Sequence, residues 1–172
     1  MTLIIRKAAS NDINDIIDII NLVVPIMNSN NNFQWNVGIY PLKSDFEKDI
    51  DNDILWVAIE DDKVIGVAAL DHECPIEYKD AGCDINTKCI VPHRLAVHPS
   101  NQGKGIALAL MMKAIDLAKD NNYNFVRVDT NSLNNKMQNM FTKLGFTNRG
   151  PIKLIGKPED QIYLCYELQL SY

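Results

Sequence analysis

The segment RLAVHPSNQGKGIALALMMKAI, residues 94–115, restricts the fold more than any other part of the chain. An apolar run ends at Val97, a turn with two glycines follows, and an apolar helical run begins, so a strand must feed a helix through a tight turn. The first amides of such a helix lack intrahelical acceptors and sit at the positive end of its dipole, which makes the junction an anion site. Gly103 and Gly105 let a ligand approach the backbone. Lys104 either adds one charge at the rim or is a solvated turn lysine.

The flanking sequence places further elements around this junction. Leu3 to Lys7 reads as a strand, Ser10 as a helix cap, and Ile13, Ile16, Ile17, Ile20 and Val24 as the apolar face of a helix that stops near Pro25. The stretch NSNNNFQWNVGIYP that follows is a loop with two exposed-looking aromatics, Trp35 and Tyr40. A short helix capped by Ser44, with Glu47 reaching back, runs to about Asp51. Ile54 to Glu60 and Lys63 to Leu70 are strands split by a tight Asp61-Asp62 turn, the second continuing into Asp71. Residues 72 to 88 are polar and aperiodic, and strand character returns over Cys89 to Val97. After the Gly-rich turn come a helix from about Gly105 to Asp120, a strand from Asn124 to Thr130 and a helix from about Asn134 to Leu144. Two final strands are expected, near Phe146 and over Ile162 to Leu168. This order predicts an α+β fold: a mixed central sheet, β-α-α-β-β-β-α-β-α-β-β, with helices on both faces.

Size and composition narrow the function. A chain of 172 residues fits one domain, residues 1–172, with a core large enough to need no metal or disulfide. The longest apolar runs, Val64 to Leu70 and Ile106 to Met112, are seven residues each. A membrane span needs roughly 20. The N-terminus offers three apolar residues before Arg6, too few for a secretory signal, so a cytoplasmic protein with no membrane partner is expected. Four cysteines without CxxC spacing read as free thiols, and no metal site is expected. A formal charge of -5 with four scattered arginines argues against nucleic acid; it either suits a cationic substrate or serves only solubility, the commoner role of such a charge.

Three phosphate motifs compete for the turn. The P-loop needs Ser or Thr after its lysine, and Lys104 is followed by Gly105. The dinucleotide fingerprint would use Gly103 and Gly105 but finds Leu108 where its third small residue should stand. Asp129 could mimic its ribose acid, yet the preceding strands form a hairpin meander where a βαβ unit is required. The run Gln102-Gly103-Lys104-Gly105-Ile106-Ala107 resembles the Q/R-x-x-G-x-G/A signature of the GNAT acetyltransferase superfamily, and the match is complete. Downstream, TNSLNNKMQNMFTKLGF is similar to that family's N-x-x-A-x-x-x-Y-x-K-L-G-F segment, with Asn134 on the Asn. The order of elements is the family's order, so the resemblance covers nearly the whole chain.

That resemblance implies an acetyl-CoA co-substrate, no metal, and a cleft between the two central strands, here those ending near Val97 and Thr130. Leu95, Ala96 and Val97 would offer backbone groups to the pantetheine and polarise the thioester carbonyl. Gly103 to Leu108, including Ile106 and Ala107, would cradle the pyrophosphate. Asn134 would hydrogen-bond the pantetheine arm, or serve as a helix cap. Asp129 matches an acidic residue that acts as base in ribosomal-protein N-acetyltransferases of the family, and its other reading is a solvated strand-end carboxylate. A base is expected, because neutralising an amine of pKa near 10.4 at neutral pH costs about 4.6 kcal/mol. His93, on the central strand, is the second candidate, or a half-buried structural histidine; alternation puts it on the face of Leu95 and Val97. His72 and Glu73 border the expected acceptor mouth or are loop surface. Trp35 and Tyr40 lie in the region that builds acceptor specificity in the family, and either stack on the amine or pin the loop to the core.

Phe141 departs from the family pattern, since many members carry there a tyrosine that protonates the leaving thiolate. A thiol of pKa near 8.5 leaves readily without that help. The reading is an N-acetyltransferase acting on a primary amine of a small molecule or peptide by direct attack on the thioester. The alternative is a non-catalytic acyl-CoA-binding domain of the same fold. Many family members dimerise through their C-terminal strands, which makes a homodimer one expectation here.

Overall fold

In a computed structural model, residues 2–171 are described. Among them, seven strands and four α-helices follow in the order β1 (Ile4–Lys7), α1 (Ile13–Ser29), α2 (Lys43–Asp51), β2 (Leu55–Glu60), β3 (Lys63–Asp71), β4 (Cys89–Val97), α3 (Ile106–Asp120), β5 (Phe125–Asn131), α4 (Asn135–Lys143), β6 (Thr147–Ile152) and β7 (Tyr163–Gln169). The sheet order is β1-β2-β3-β4-β5-β7-β6. The β1–β2, β2–β3, β5–β7 and β6–β7 pairs are antiparallel, and β4 and β5 run parallel where Cys89 faces Phe125 and Ile90 faces Val126. This is the mixed α+β sheet that the sequence predicts. Among the described residues no helix is long and apolar enough to cross a membrane.

The chain divides into two compact units. One runs through Leu70 and resumes over Pro92–Lys113; the other takes Asp71–Val91 and the chain from Ala114 onward. In the first unit, Ile16, Ile19 and Val24 of α1 pack with Trp35, Phe46, Leu55, Val57, Val67 and Ala96 in one apolar core. The Asp61-Asp62 turn forms the expected hairpin, both residues adopting positive φ (50° and 60°), a conformation that aspartate tolerates. Gly66 is required for a different reason: a Cβ there would meet the Cγ2 of Ile106 at 2.8 Å, so the start of α3 lies directly on β3.

Three local expectations are corrected. Pro25 does not end α1, which continues to Ser29. Pro25 and Asn21, whose carbonyl loses its helical donor, are both exposed, so water can take up the freed acceptor. Ser10 is not the cap of α1; Asp12 holds that corner, accepting from the Ala9 N–H at 2.7 Å and from both terminal nitrogens of Arg6 at 2.7 and 2.9 Å. At α2 the reach-back comes from Asp45, which accepts from the Leu42 N–H at 2.7 Å, while Glu47 pairs with Lys43 at 3.5 Å on the surface.

The second unit has its own core of Tyr78, Cys83, Cys89, Val91, Ile152, Tyr163 and Cys165. Residues 72–88, polar and aperiodic in sequence, contain a 3₁₀ turn, Ile76–Ala81, that inserts Tyr78 fully into this core. Gly82 ends the turn with φ of 72°, the left-handed conformation that closes a helical turn.

In the first unit, Arg94 grips the buried Asp49 through Nε and Nη2 at 2.7 and 2.6 Å. Removing one partner of such a pair strands a desolvated charge, so Asp49→Ala is expected to lower unfolding free energy by about 3 to 5 kcal/mol. Lys43→Ala, which breaks only an exposed pair, is expected to cost under about 0.5 kcal/mol. Urea denaturation of both variants reads the difference.

Candidate active site

The first unit holds the end of β4 and the Gly-rich turn. Arg94 interrupts β4 with φ of 51°, so the period-two alternation assumed for this strand fails there. His93 is part-buried, and this break prevents alternation from placing it on one face with Leu95 and Val97. The Arg94 guanidinium, besides holding Asp49, donates from Nη1 to the Tyr40 hydroxyl at 2.9 Å. Burial pulls against its charge, but Tyr40 and Asp49 together raise its proton affinity. Burial also lifts the Tyr40 hydroxyl above the usual tyrosine value, against the opposing pull of Arg94.

Tyr40 therefore lies half-buried as part of an anchored network, and Trp35, at 6% exposure, is a core residue. The two aromatics read as exposed from sequence are pins between the α1–α2 loop and its own unit. The exposed apolar side chains of that loop are Phe33, Val37, Ile39 and Leu42.

Beyond Arg94, Ala96 and Val97 are buried and Leu95 is part-buried. The Gln102 side chain folds back, its Nε2 donating to the Val97 carbonyl at 3.3 Å, and so ties the turn to the strand end. Gly103 and Gly105 have φ of 79° and 84°, and nothing lies within 4 Å of a Cβ built at either. Glycine is needed here for conformation, and the space beside the backbone is open. The α3 helix begins at Ile106, so the amides of Ile106, Ala107 and Leu108 fall in the set without intrahelical acceptors, and Ala109 N–H donates to the Gly105 carbonyl at 2.9 Å. With Lys104 exposed beside it, the turn has the donors, the open approach and the positive charge that a pyrophosphate requires.

Within the second unit, one carboxyl group has an unusual environment. Asp129 lies on β5 opposite Cys165 of β7 and is not fully sealed from solvent. Tyr78 donates its hydroxyl to Asp129 Oδ1 at 2.7 Å. Burial pushes the carboxyl up to about 6, assisted by the negative Glu77, while the Tyr78 hydrogen bond and Lys157 act in the other direction. Burial and the neighbouring carboxylate push the Tyr78 hydroxyl well above its usual value, so Tyr78 remains a donor. An acid of pKa about 6 is mostly ionised at neutral pH and is a stronger proton acceptor than an ordinary aspartate.

Asn134 caps α4, its Oδ1 accepting from the Met137 N–H at 3.3 Å. Phe141 is fully buried, with ring centroids 5.8 Å from Phe146 and 5.3 Å from Tyr166, so the departure from the family's tyrosine is a core position here. His72 sits edge-on to Tyr123, its Nδ1 3.2 Å from the Tyr123 hydroxyl, beside the end of β5 that starts at Phe125. Asp129 is four residues further on, about 13 Å along a strand. The structure does not bring His72 together with Asp129, and Glu73 is exposed.

Sequence reasoning missed Tyr78 and Asp49. Tyr78 offered one signal, an aromatic framed by Pro75 and Gly82 in a polar run, which marks a folded turn. Asp49 offered none beyond its place on the helix.

Comparison with known proteins gives this geometry a family. The chain resembles human N-acetyltransferase 8B, with 30% identity over 96 residues that cover 55% of this chain and 39% of the relative. The matched region thus spans under half the length of the curated relatives. A GNAT-family acetyltransferase structure from Streptococcus agalactiae is 26% identical, with a TM-score of 0.82 over 99% of this chain and 96% of that one. The fold also matches yncA from Salmonella typhimurium, described with its cofactor acetyl-CoA, at 19% identity and a TM-score of 0.72 over 99% and 95% of the two chains. Residues 20–146 match the model of the acetyltransferase (GNAT) family, and the chain belongs to that family.

Proposed function

We propose that this chain transfers an acetyl group from acetyl-CoA to a primary amine of a small molecule or peptide, with Asp129 as the proton acceptor. The observation that carries the proposal is the Asp129 carboxyl, raised to about 6 and held by Tyr78. An amine attacks only as its neutral form, and a carboxylate with this affinity accepts the proton that must leave, directly or through one water.

Acetyl-CoA supplies the activated thioester carbon and a thiol leaving group. Toward it the chain offers the amides of Ile106, Ala107 and Leu108 and the Lys104 ammonium for the pyrophosphate, and the β4 backbone after Arg94 for the acyl end. The Arg94 contacts to Asp49 and Tyr40 hold that stretch of strand in place, which a preorganised oxyanion donor requires. Asn134 already spends its Oδ1 on the helix cap, leaving its Nδ2 for a pantetheine carbonyl.

The buried Phe141 favours a second reading, an acyl-CoA-binding domain without turnover, because it cannot protonate a leaving thiolate. Incubation with acetyl-CoA and a panel of polyamines, aminoglycosides, amino acids and short peptides separates the two. Free thiol released above a no-acceptor blank, with the acetylated amine identified by mass spectrometry, is expected. Saturable acetyl-CoA binding with no release on any acceptor would establish the binding domain instead.

Two variants test the base. With an active acceptor, kcat/KM is expected to fall as pH drops through about 6, and Asp129→Asn to lose on the order of 100-fold or more in kcat. Because that substitution also removes a desolvated charge, its thermal midpoint at pH 7 should not fall, which distinguishes lost chemistry from lost folding. Tyr78→Phe deletes a hydrogen bond that favours the ionised carboxyl, so the acid limb of the pH–rate profile is expected to move upward. A limb that stays put would show that Tyr78 has no hold on the titrating group.

A further inference from the structure

In the second unit, the turn that carries Tyr78 is fastened to the sheet at two neighbouring points. At one, the Tyr78 hydroxyl donates to Asp129 on β5 at 2.7 Å. At the other, Cys83, two residues beyond the end of the Ile76–Ala81 turn, brings its sulfur to 4.0 Å from that of Cys165 on β7. The two anchors sit side by side, because Asp129 and Cys165 are paired across β5 and β7. They are also linked within the turn, where the Cys83 N–H donates to the Tyr78 carbonyl at 3.1 Å.

The sulfur fastening is the weaker of the two, since a thiol is a poor hydrogen-bond donor and a poor acceptor. Both cysteines are free thiols, Cys83 5% exposed and Cys165 fully buried. Burial raises both thiols above the usual cysteine value, so the resting pair keeps its protons. A disulfide holds its sulfurs about 2.05 Å apart, and a bond here asks the two atoms to approach by about 2 Å, a displacement of the size that rotation about a Cα–Cβ bond produces. Cys83 is the sulfur that an oxidant meets first. Its chain neighbours Gly82 and Asp84 are both exposed, whereas Cys165 lies on β7, between β5 and β6.

We propose that Cys83 and Cys165 are a modification site for a small hydroperoxide, which converts them into a disulfide that locks the turn onto β7. The Cys83 sulfur loses its proton and attacks one oxygen of the peroxide, the O–O bond breaks, and the departing oxygen takes up a proton to leave as alcohol or water. Cys165 then gives up its proton and attacks the Cys83 sulfenic sulfur, the S–O bond breaks, and water leaves. Two thiols lose two electrons to become one disulfide, and one peroxide is reduced. The bond makes permanent the seat of the segment on which Tyr78 reaches Asp129.

The full chain treated with hydrogen peroxide until the part-exposed Cys74 has lost its thiol, then alkylated in denaturant and mapped by mass spectrometry, tests this. The expected product is a peptide linking Cys83 to Cys165, reversed by dithiothreitol. Cys165→Ala removes the thiol that the second step needs and should instead leave a Cys83 sulfenic acid that dimedone traps. Amide hydrogen exchange over residues 76–83 should slow in the bridged chain and return to its starting rate on reduction; exchange that does not change would show that the bond locks nothing. Recovery of Cys83 and Cys165 from the unsubstituted chain as separate residues, alkylated or singly oxidised, or a bridge from either to another cysteine, would overturn the proposal. These readouts do not depend on acetyl transfer, so they stand apart from the proposed function.

Discussion

A charged side chain taken out of water loses hydration worth several kcal/mol, and only a partner fixed in the right geometry offsets the loss. Both units are organised around this constraint. In the first, Arg94 joins β4, α2 and the α1–α2 loop through Asp49 and Tyr40. In the second, Arg127 and Asp129 stand two residues apart on β5 and so share one face of the strand. The insertion folds onto that face because it carries what the two charges need: the Asp84 carbonyl and Cys74 for Arg127, and the Tyr78 hydroxyl for Asp129.

The satisfaction of these two groups is unequal. Arg127 receives a carboxylate, a carbonyl and a sulfur, whereas Asp129 receives one strong donor and keeps a net penalty for its charge. The folded state consequently binds the Asp129 proton more tightly than the unfolded chain does. Stability from this group is greatest below the unfolded value of 3.8 and declines as pH rises through the folded value of about 6. At neutral pH the protein carries the carboxylate at a cost to stability. A cost of this kind is what the proposed proton-accepting role of Asp129 entails.

Most of the fold was legible in the sequence because its signals are local. The β4–turn–α3 junction, the Asp61-Asp62 hairpin and the amphipathic α1 each declare themselves within a few residues, and the glycines of the turn have the positive φ that their positions suggested. Failures came where a distant partner decides the outcome. Trp35 and Tyr40 sit in an asparagine-rich loop that looks solvated, and only the packing of the first unit and the reach of Arg94 show that they are anchored. The alternation drawn through His93, Leu95 and Val97 was broken by a left-handed residue that no local signal marks, because arginine rarely adopts that conformation. Asp129 was legible as a candidate, but its altered proton affinity depends on Tyr78 and Glu77, some fifty residues earlier in the chain.

The central claim is that Asp129 is a desolvated carboxyl poised to take a proton near neutral pH. Its most direct test is a ¹³C NMR titration of the Asp129 side-chain carboxyl in the intact chain, assigned by loss of the resonance in Asp129→Asn. The account predicts a midpoint near 6. A midpoint near the ordinary aspartate value of about 3.9 would contradict it, because the carboxylate would then be a solvated strand-end charge with no special affinity for the proton of an attacking amine.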